Sequence, residues 1–508
     1  MQQNQQEALD AREWIERGRA LYRAGRLQEA RSGLERAVHL DPELADAWDW
    51  LGVVAGTLGG TQDAATCLRR AADLAPEDAE IWYDLGIALH QLGDLAEAAS
   101  AYRRAVDLDP RRARAWYNLG AALHSMGRTD ESLQAYRQAV QADPDLSPAW
   151  NNLGLILTAR GDTEGAVRSL RRSVAADPRN AEAWANLGDA LRGQGLEQEA
   201  ANALRTAVEL QPDLACAWNN LGVTLDALGD TEGALEAYRR SLAVDPSHAG
   251  TWANLGEVLR AKGALDESET ALSRAVELQP ERADTWHSLG WILASKDRPE
   301  AAEAAYRKVV GLEPARAEAW HGLGAVLARE GRHGEAAEAL RRALELGEDD
   351  SDTWLRLAEA LDEAGRRVEA THAFDRAAAT RPHSADAWID LGAALLRRDR
   401  VEEAIPAMQR ATDIEPRNAS AWRRLGQALS VADRVQEALR AFRRATKLAP
   451  NDAQAWFGLA GVYVAKHQRR RAIAGLERFV QVARAGTQDI PEEHIEFARK
   501  MLAELQHG

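Results

Sequence analysis

Five asparagines stand 34 residues apart in this chain: Asn118, Asn152, Asn186, Asn220 and Asn254. An amide side chain offers an acceptor and two donors, the set that grips a peptide bond from the side whatever residue carries it. Asparagine is a mediocre helix former, so five copies at one slot of a helical pattern want a physical reason. Two readings fit: the row holds the backbone of an extended peptide, or the slot takes any polar residue and recent duplication copied this one. The unbroken run favours the first. Elsewhere the same slot carries Glu16, Trp50, Asp84, Ser288, Gly322, Arg356, Asp390, Arg424 and Gly458. Tyr83, Tyr117, Asn151 and Asn219 occupy the slot one residue earlier and are expected to flank the same groove. Further on, His287, His321 and Trp291 suggest a more aromatic stretch, and His287 joins the candidate peptide contacts.

Other side chains offer less. His90 and His124 share a slot in adjacent repeats, but stacked helices lie about 8–10 Å apart and no third ligand is evident. No metal and no cofactor are therefore expected. Arginine pairs such as Arg69-Arg70, Arg103-Arg104 and Arg171-Arg172 fall near helix ends, where the helix dipole favours cations, and read as a solvated outer face. Arg356, Arg397, Arg423 and Arg424 form a candidate inner basic patch, which leaves an acidic partner open. No nucleotide-binding glycine loop or nucleophile–base pair is present, so the chain is not read as an enzyme.

Composition narrows the partners. A net charge of -16 argues against nucleic acid, which needs clustered cations, and against anionic membranes. Only 6 of the 63 basic residues are lysine, which with abundant Arg, Ala and Gly fits a GC-rich bacterial genome. Cys67 and Cys216 are the only cysteines, so no disulfide framework exists. No secretory signal or membrane-length apolar run is visible. A cytoplasmic location is expected.

The elements that must position the amides follow from a ruler of tryptophans. Trp14, Trp48, Trp82, Trp116 and every thirty-fourth residue to Trp456 are tryptophan, so 14 of the 16 share one register. A fixed period of this length means stacked repeats. Around Trp218, the residues Leu221, Gly222 and Leu225 continue an apolar helical stripe, and Gly229 can end that helix in left-handed geometry. A second stripe runs Ala234, Leu235, Tyr238, Ser241 and Leu242, and Asp245-Pro246 stops it. The glycine four residues after the tryptophan recurs in 12 of 14 repeats, although it costs about 1 kcal/mol against alanine in a helix. It predicts close helix approach, with the small residue that opens the second stripe at the same contact and the tryptophan filling the space beside it.

The pattern Trp82, Leu85, Gly86, Leu89, Ala98, Tyr102, Ala105 and Pro110 resembles the tetratricopeptide repeat family, and the resemblance spans nearly the whole chain. It implies an all-α, right-handed superhelical solenoid of about fourteen 34-residue helix-turn-helix repeats, whose first helices line a concave groove. The expected division is a polar N-terminal tail over 1–10, repeats over 11–486, and a C-terminal capping helix and tail over 487–508. The cap opens at Ile490-Pro491 and carries Ile495, Ala498, Leu502 and Leu505 on one side. Local departures are a missing proline at Gly347-Glu348-Asp349-Asp350, Asp297, Asp399 and Asp433 at turn glycines, and Pro406 inside a second helix, where a kink is expected. The asparagine row is similar to the ladder in the repeat arm of O-linked N-acetylglucosamine transferases, without their catalytic domain. The function expected is a scaffold that binds extended peptide segments of partner proteins. A self-assembling structural protein and the separate arm of a glycosyltransferase are the alternatives.

Overall fold

The computed structural model describes residues 2–380, 384–484 and 491–507. Among these are twenty-nine α-helices and no strand: fourteen antiparallel pairs followed by one further helix. The chain divides into two compact bodies, Met1–Val258 and Leu259–Gly508, and the line falls within repeat eight. In each body the strongest helix–helix packing is within a repeat, and successive repeats join through a second helix and the next first helix.

Repeat seven shows why the sequence folds this way. Its first helix, Ala215–Ala227, buries Leu221, Gly222 and Leu225. Gly229 reverses the chain at φ +80°, and the Asp230 carboxylate accepts from the Gly233 amide to start the second helix, Thr231–Val244. That helix buries Ala234, Leu235, Tyr238, Ser241 and Leu242. After Asp245 and Pro246, the Trp252 indole N–H donates to the Pro246 carbonyl at 2.9 Å. The same bond links Trp48, Trp82, Trp116, Trp150, Trp184, Trp218, Trp286, Trp320, Trp422 and Trp456 to the proline six residues before each, at 2.8 Å for Trp150 and 3.0 Å for Trp422. In these repeats the tryptophan thus caps the carbonyl left open where the previous repeat ends.

The recurring glycine marks the close approach, but its partner is not the tryptophan. A Cβ on Gly222 would lie 2.5 Å from the Tyr238 ring, and one on Gly188 2.5 Å from Leu204. The second-helix aromatic fills the space: Tyr102, Tyr136, Tyr238, Phe374 and Phe442 are fully buried, whereas the register tryptophans stay half-buried. The reason is that the indole must reach outward to the proline carbonyl. The small residue of the second stripe does touch the glycine helix, as Ser132 donates to the Gly120 carbonyl at 2.7 Å.

The local departures resolve individually. Asp297, Asp399 and Asp433 adopt φ values of 58°, 57° and 57°, the left-handed turn geometry expected of them, and His467 does the same at 52°. Helix Val401–Ile414 runs through Pro406 without ending. Where the proline is missing, the Asp349 carboxylate takes its place and accepts from the Trp354 indole at 2.6 Å, while Asp350 caps the next helix. The N-terminal segment expected as a tail is helical, since the first helix is Gln2–Arg23. Glutamine is a fair helix former and needs no apolar period to extend an established helix. Ile490 lies outside the described residues. The final helix, Glu492–His507, buries Ile495 and Ala498 against Leu476, Phe479 and Val482. Arg469 closes its end through bonds to the carbonyls of Leu505 and Gln506, at 2.5 and 3.0 Å.

Candidate functional site: the amide row of the first body

The tryptophan and the residue two further on lie about 200° apart around a helix, so the asparagine slot faces away from the tryptophan. All five row asparagines are half-buried. Their amides are held by named neighbours. Asn118 donates to the Tyr83 hydroxyl at 3.5 Å and Asn152 to the Tyr136 hydroxyl at 3.1 Å. Asn186 donates to Asn151 Oδ1 at 2.9 Å, and Asn254 to Asn219 Oδ1 at 3.2 Å. Asn151 and Asn219 in turn donate to Asn152 and Asn220, at 3.4 and 3.2 Å.

The structure therefore joins the candidates in clusters: Asn151 with Asn152 and Asn186, Asn219 with Asn220 and Asn254, and Tyr83 with Asn118. The link between repeats spans 35 residues, from the slot after one tryptophan to the row slot of the next repeat. Sequence reading assigned Asn151 and Asn219 to the rim and missed this linkage, whose only trace is asparagine alternating with alanine at Asn151, Ala185, Asn219 and Ala253. Thr251 adds a third contact, donating to Asn219 Oδ1 at 3.1 Å. Tyr117 instead tilts against Tyr136, with ring centroids 5.8 Å apart. Burial pushes the Tyr136 hydroxyl up to about 12, keeping it protonated and able to act as donor and acceptor.

His287 lies in the second body, packed edge-on against Tyr306 at 5.7 Å. His321 bonds Thr353 Oγ1 at 2.7 Å, while Trp291 is exposed beneath the Arg260 guanidinium, 5.3 Å away. In the basic patch, Arg356 pairs with Asp352 at 2.7 Å, Arg397 with Glu359 at 3.2 Å and Arg423 with Asp452 at 3.1 Å. Arg424 is lowered from its ordinary pKa by burial and by Arg423 and Arg397 beside it. At the other end of the row slot, burial and then Asp84 raise Asp49 to about 7, and burial and then Glu80 raise Asp84 to about 6. Among the described residues no three His, Cys, Asp or Glu side chains form a metal-holding group, and no helix is long and apolar enough to cross a membrane.

Comparison with known proteins follows the period. The tetratricopeptide repeat model matches residues 51–112, 92–147, 151–215, 219–283 and 287–351, and related models of the same repeat match 11–44, 327–377, 363–429 and 419–462. No curated protein matches. Among solved structures the chain is similar to MamA at 24% identity, over 34% of this chain and 94% of that one, with a TM-score of 0.33. It is similar to YrrB, titled a TPR protein with an unusual peptide-binding site, at 26% identity over 39% and 100% of the two chains, TM-score 0.35. Yeast Tom70 aligns at 16% identity over 85% and 96%, TM-score 0.36. Such scores carry no function across. The family models alone cover more than half of the sequence in the register set by its tryptophans, and the chain belongs to the tetratricopeptide repeat family.

Proposed function

We propose that Asn118, Asn152, Asn186, Asn220 and Asn254 bind the main chain of an extended segment from a partner protein. Tetratricopeptide arrays are protein–protein interaction scaffolds, and the reading specifies where and how this one engages. The observation that carries it is the held but unsaturated state of the amides. Asn186 and Asn254 each spend one N–H on a neighbour, leaving a second N–H and the carbonyl oxygen, while Asn118 is held by the hydroxyls of Tyr83 and Tyr102. One free donor and one free acceptor match the C=O and N–H of a peptide group. Because the neighbours already fix the rotamers, less entropy is lost on binding than with five free side chains.

Each hydrogen bond contributes about 0.5–1.5 kcal/mol net, so affinity comes from several acting together and stays tolerant of peptide sequence. The test places a photoreactive residue at Asn186, identifies the crosslinked chain, and measures its affinity for the wild type and for a variant with all five asparagines changed to alanine. The expected result is at least a hundredfold loss of affinity with the helical circular dichroism retained. An unchanged affinity in the folded variant refutes the row.

A further inference from the structure

On the tryptophan side of the same helices, second helices are laced by a repeating ion pair 28 residues apart. Arg69 meets Glu97 at 2.5 Å, Arg103 meets Glu131 at 3.2 Å, Arg171 meets Glu199 at 2.6 Å and Arg341 meets Glu369 at 3.0 Å. The pair is broken at repeat five, where Gly165 stands in the glutamate's place opposite Arg137. Among the described residues Arg137 has no carboxylate within ion-pair reach, and neither has Arg172.

The break changes a cleft. Three clefts of the same plan open in repeats three, four and five, with volumes of about 470, 870 and 760 Å³, each floored by a register tryptophan and two leucines. In repeat three, two arginines face two carboxylates, and in repeat four three face three. In repeat five, Arg168 and Arg171 are spent on Glu164 and Glu199, while Arg137 and Arg172 have only Asp162 beside them in the lining, over a floor that includes Trp150 and Leu157. A chain of net charge -16 thus holds an apolar slot rimmed by two unpaired arginines, of which Arg137 also borders the cleft of repeat four, where Arg103 and Arg160 are paired with Glu131 and Asp130. Gly233 repeats the substitution in repeat seven, but there Arg205 turns to Asn202 at 3.4 Å.

We propose that the repeat-five cleft binds an acidic segment of a partner protein, seating one large apolar side chain on Trp150, Leu153 and Leu157 while its carboxylates pair with Arg137 and Arg172. Charge complementarity selects this occupant. Planar guanidinium groups suit carboxylates, and the apolar floor rewards an anchor residue. A nucleic acid needs neutralisation along many phosphates, whereas the unpaired arginines here are Arg137 and Arg172. The inference stands apart from the amide row, since Asn152 lies about 200° around the helix from Trp150.

The test uses the full chain and a fluorescein-labelled peptide with one phenylalanine between two runs of three glutamates, followed by fluorescence anisotropy. Saturable binding is expected for the wild type. Gly165→Glu, which supplies the missing partner to Arg137, weakens it at least tenfold, and so does the double change Arg137→Ala, Arg172→Ala. Gly165→Gln, of the same bulk without the charge, stays within threefold of wild type. A Cβ at position 165 would meet the Asp162 carboxylate at 2.4 Å, in both the Glu and the Gln variant, and the carboxylate must swing to the cap geometry that Asp94 keeps beside Glu97. Replacing the phenylalanine by glycine also costs at least tenfold. No saturable binding, equal affinity for Gly165→Glu, or equal displacement by an oligothymidylate overturns the proposal.

Discussion

Gly222→Ala isolates the close approach that recurs along the array. The new Cβ would stand 2.5 and 2.7 Å from two ring carbons of Tyr238, a side chain only 2% exposed and held on all sides. Overpacking of that kind costs about 1–3 kcal/mol. Alanine returns about 1 kcal/mol as the better helix former, so a net loss of roughly 0–2 kcal/mol is expected. Gly290 supplies the internal control, because a Cβ there would meet Tyr306 no closer than 3.2 Å. A shift of a few tenths of an ångström relieves that contact, and Gly290→Ala should range from neutral to about 1 kcal/mol stabilising. Repeat arrays unfold in segments, so a urea midpoint alone is insufficient. Hydrogen exchange in helices Ala215–Ala227 and Ala283–Ser295 reads each site separately. The decisive measurement is the double-mutant cycle with Tyr238→Ala. Once the ring is removed, Gly222→Ala should become stabilising, giving a coupling of about 2 kcal/mol. A loss of the same size in both backgrounds would refute the steric account.

Further expectations follow from individual groups. Asp49 holds its proton up to about pH 7 in the folded chain, against about 3.9 for an unfolded aspartate. Its stabilising contribution is therefore full below about pH 4 and is lost as pH rises to about 7. Asp49→Asn should raise the unfolding free energy from urea titration at pH 8, by roughly 1–2 kcal/mol after allowance for solvent screening, and change it little at pH 4. Asp349→Ala removes the acceptor of the Trp354 indole and should cost about 1 kcal/mol, seen as faster hydrogen exchange confined to helix Ser351–Glu363. Arg469→Ala releases the carbonyls of Leu505 and Gln506, so limited proteolysis should clip helix Glu492–His507 before any repeat.

The repeat number, the helix ends and the existence of a close approach were legible because each rests on local rules applied fourteen times. Gly229 at φ +80° and Asp297 at 58° sit where the chain must reverse, whatever surrounds them. The partner of the glycine was not legible. Trp218 and Tyr238 are both large and both near Gly222 in the pattern, and only the packing of the two helices decides which ring enters. The tryptophan's role depended on a carbonyl six residues upstream in the preceding repeat, a contact without any side-chain signature. The linkage of Asn151 and Asn219 to the row was missed for a related reason. Their bonds to Asn186 and Asn254 require the rotation between successive repeats, which no single repeat encodes.

That rotation also explains why one helix can serve two chemistries. Residues one and two after the tryptophan meet their counterparts in adjacent repeats, so polar residues there lock to each other and present what remains unspent. The donors of Asn186 and Asn254 are anchored in this way, and the pattern has a period of two repeats because Ala185 and Ala253 interrupt it. At about 10 Å per stacked repeat, two repeats match about six residues of an extended chain at 3.3 Å each. A peptide held by this face would find the same pair of anchored amides at that interval. On the opposite side the tryptophans are spent on closing the previous repeat, and charge falls to the second helices, where arginine and glutamate cancel. Selectivity on that side therefore arises by deletion: replacing one glutamate with Gly165 exposes Arg137 without adding a cation or disturbing Asp162, whose carboxylate still caps the helix at 2.9 Å. The two faces can change independently because they share a backbone and no side chain.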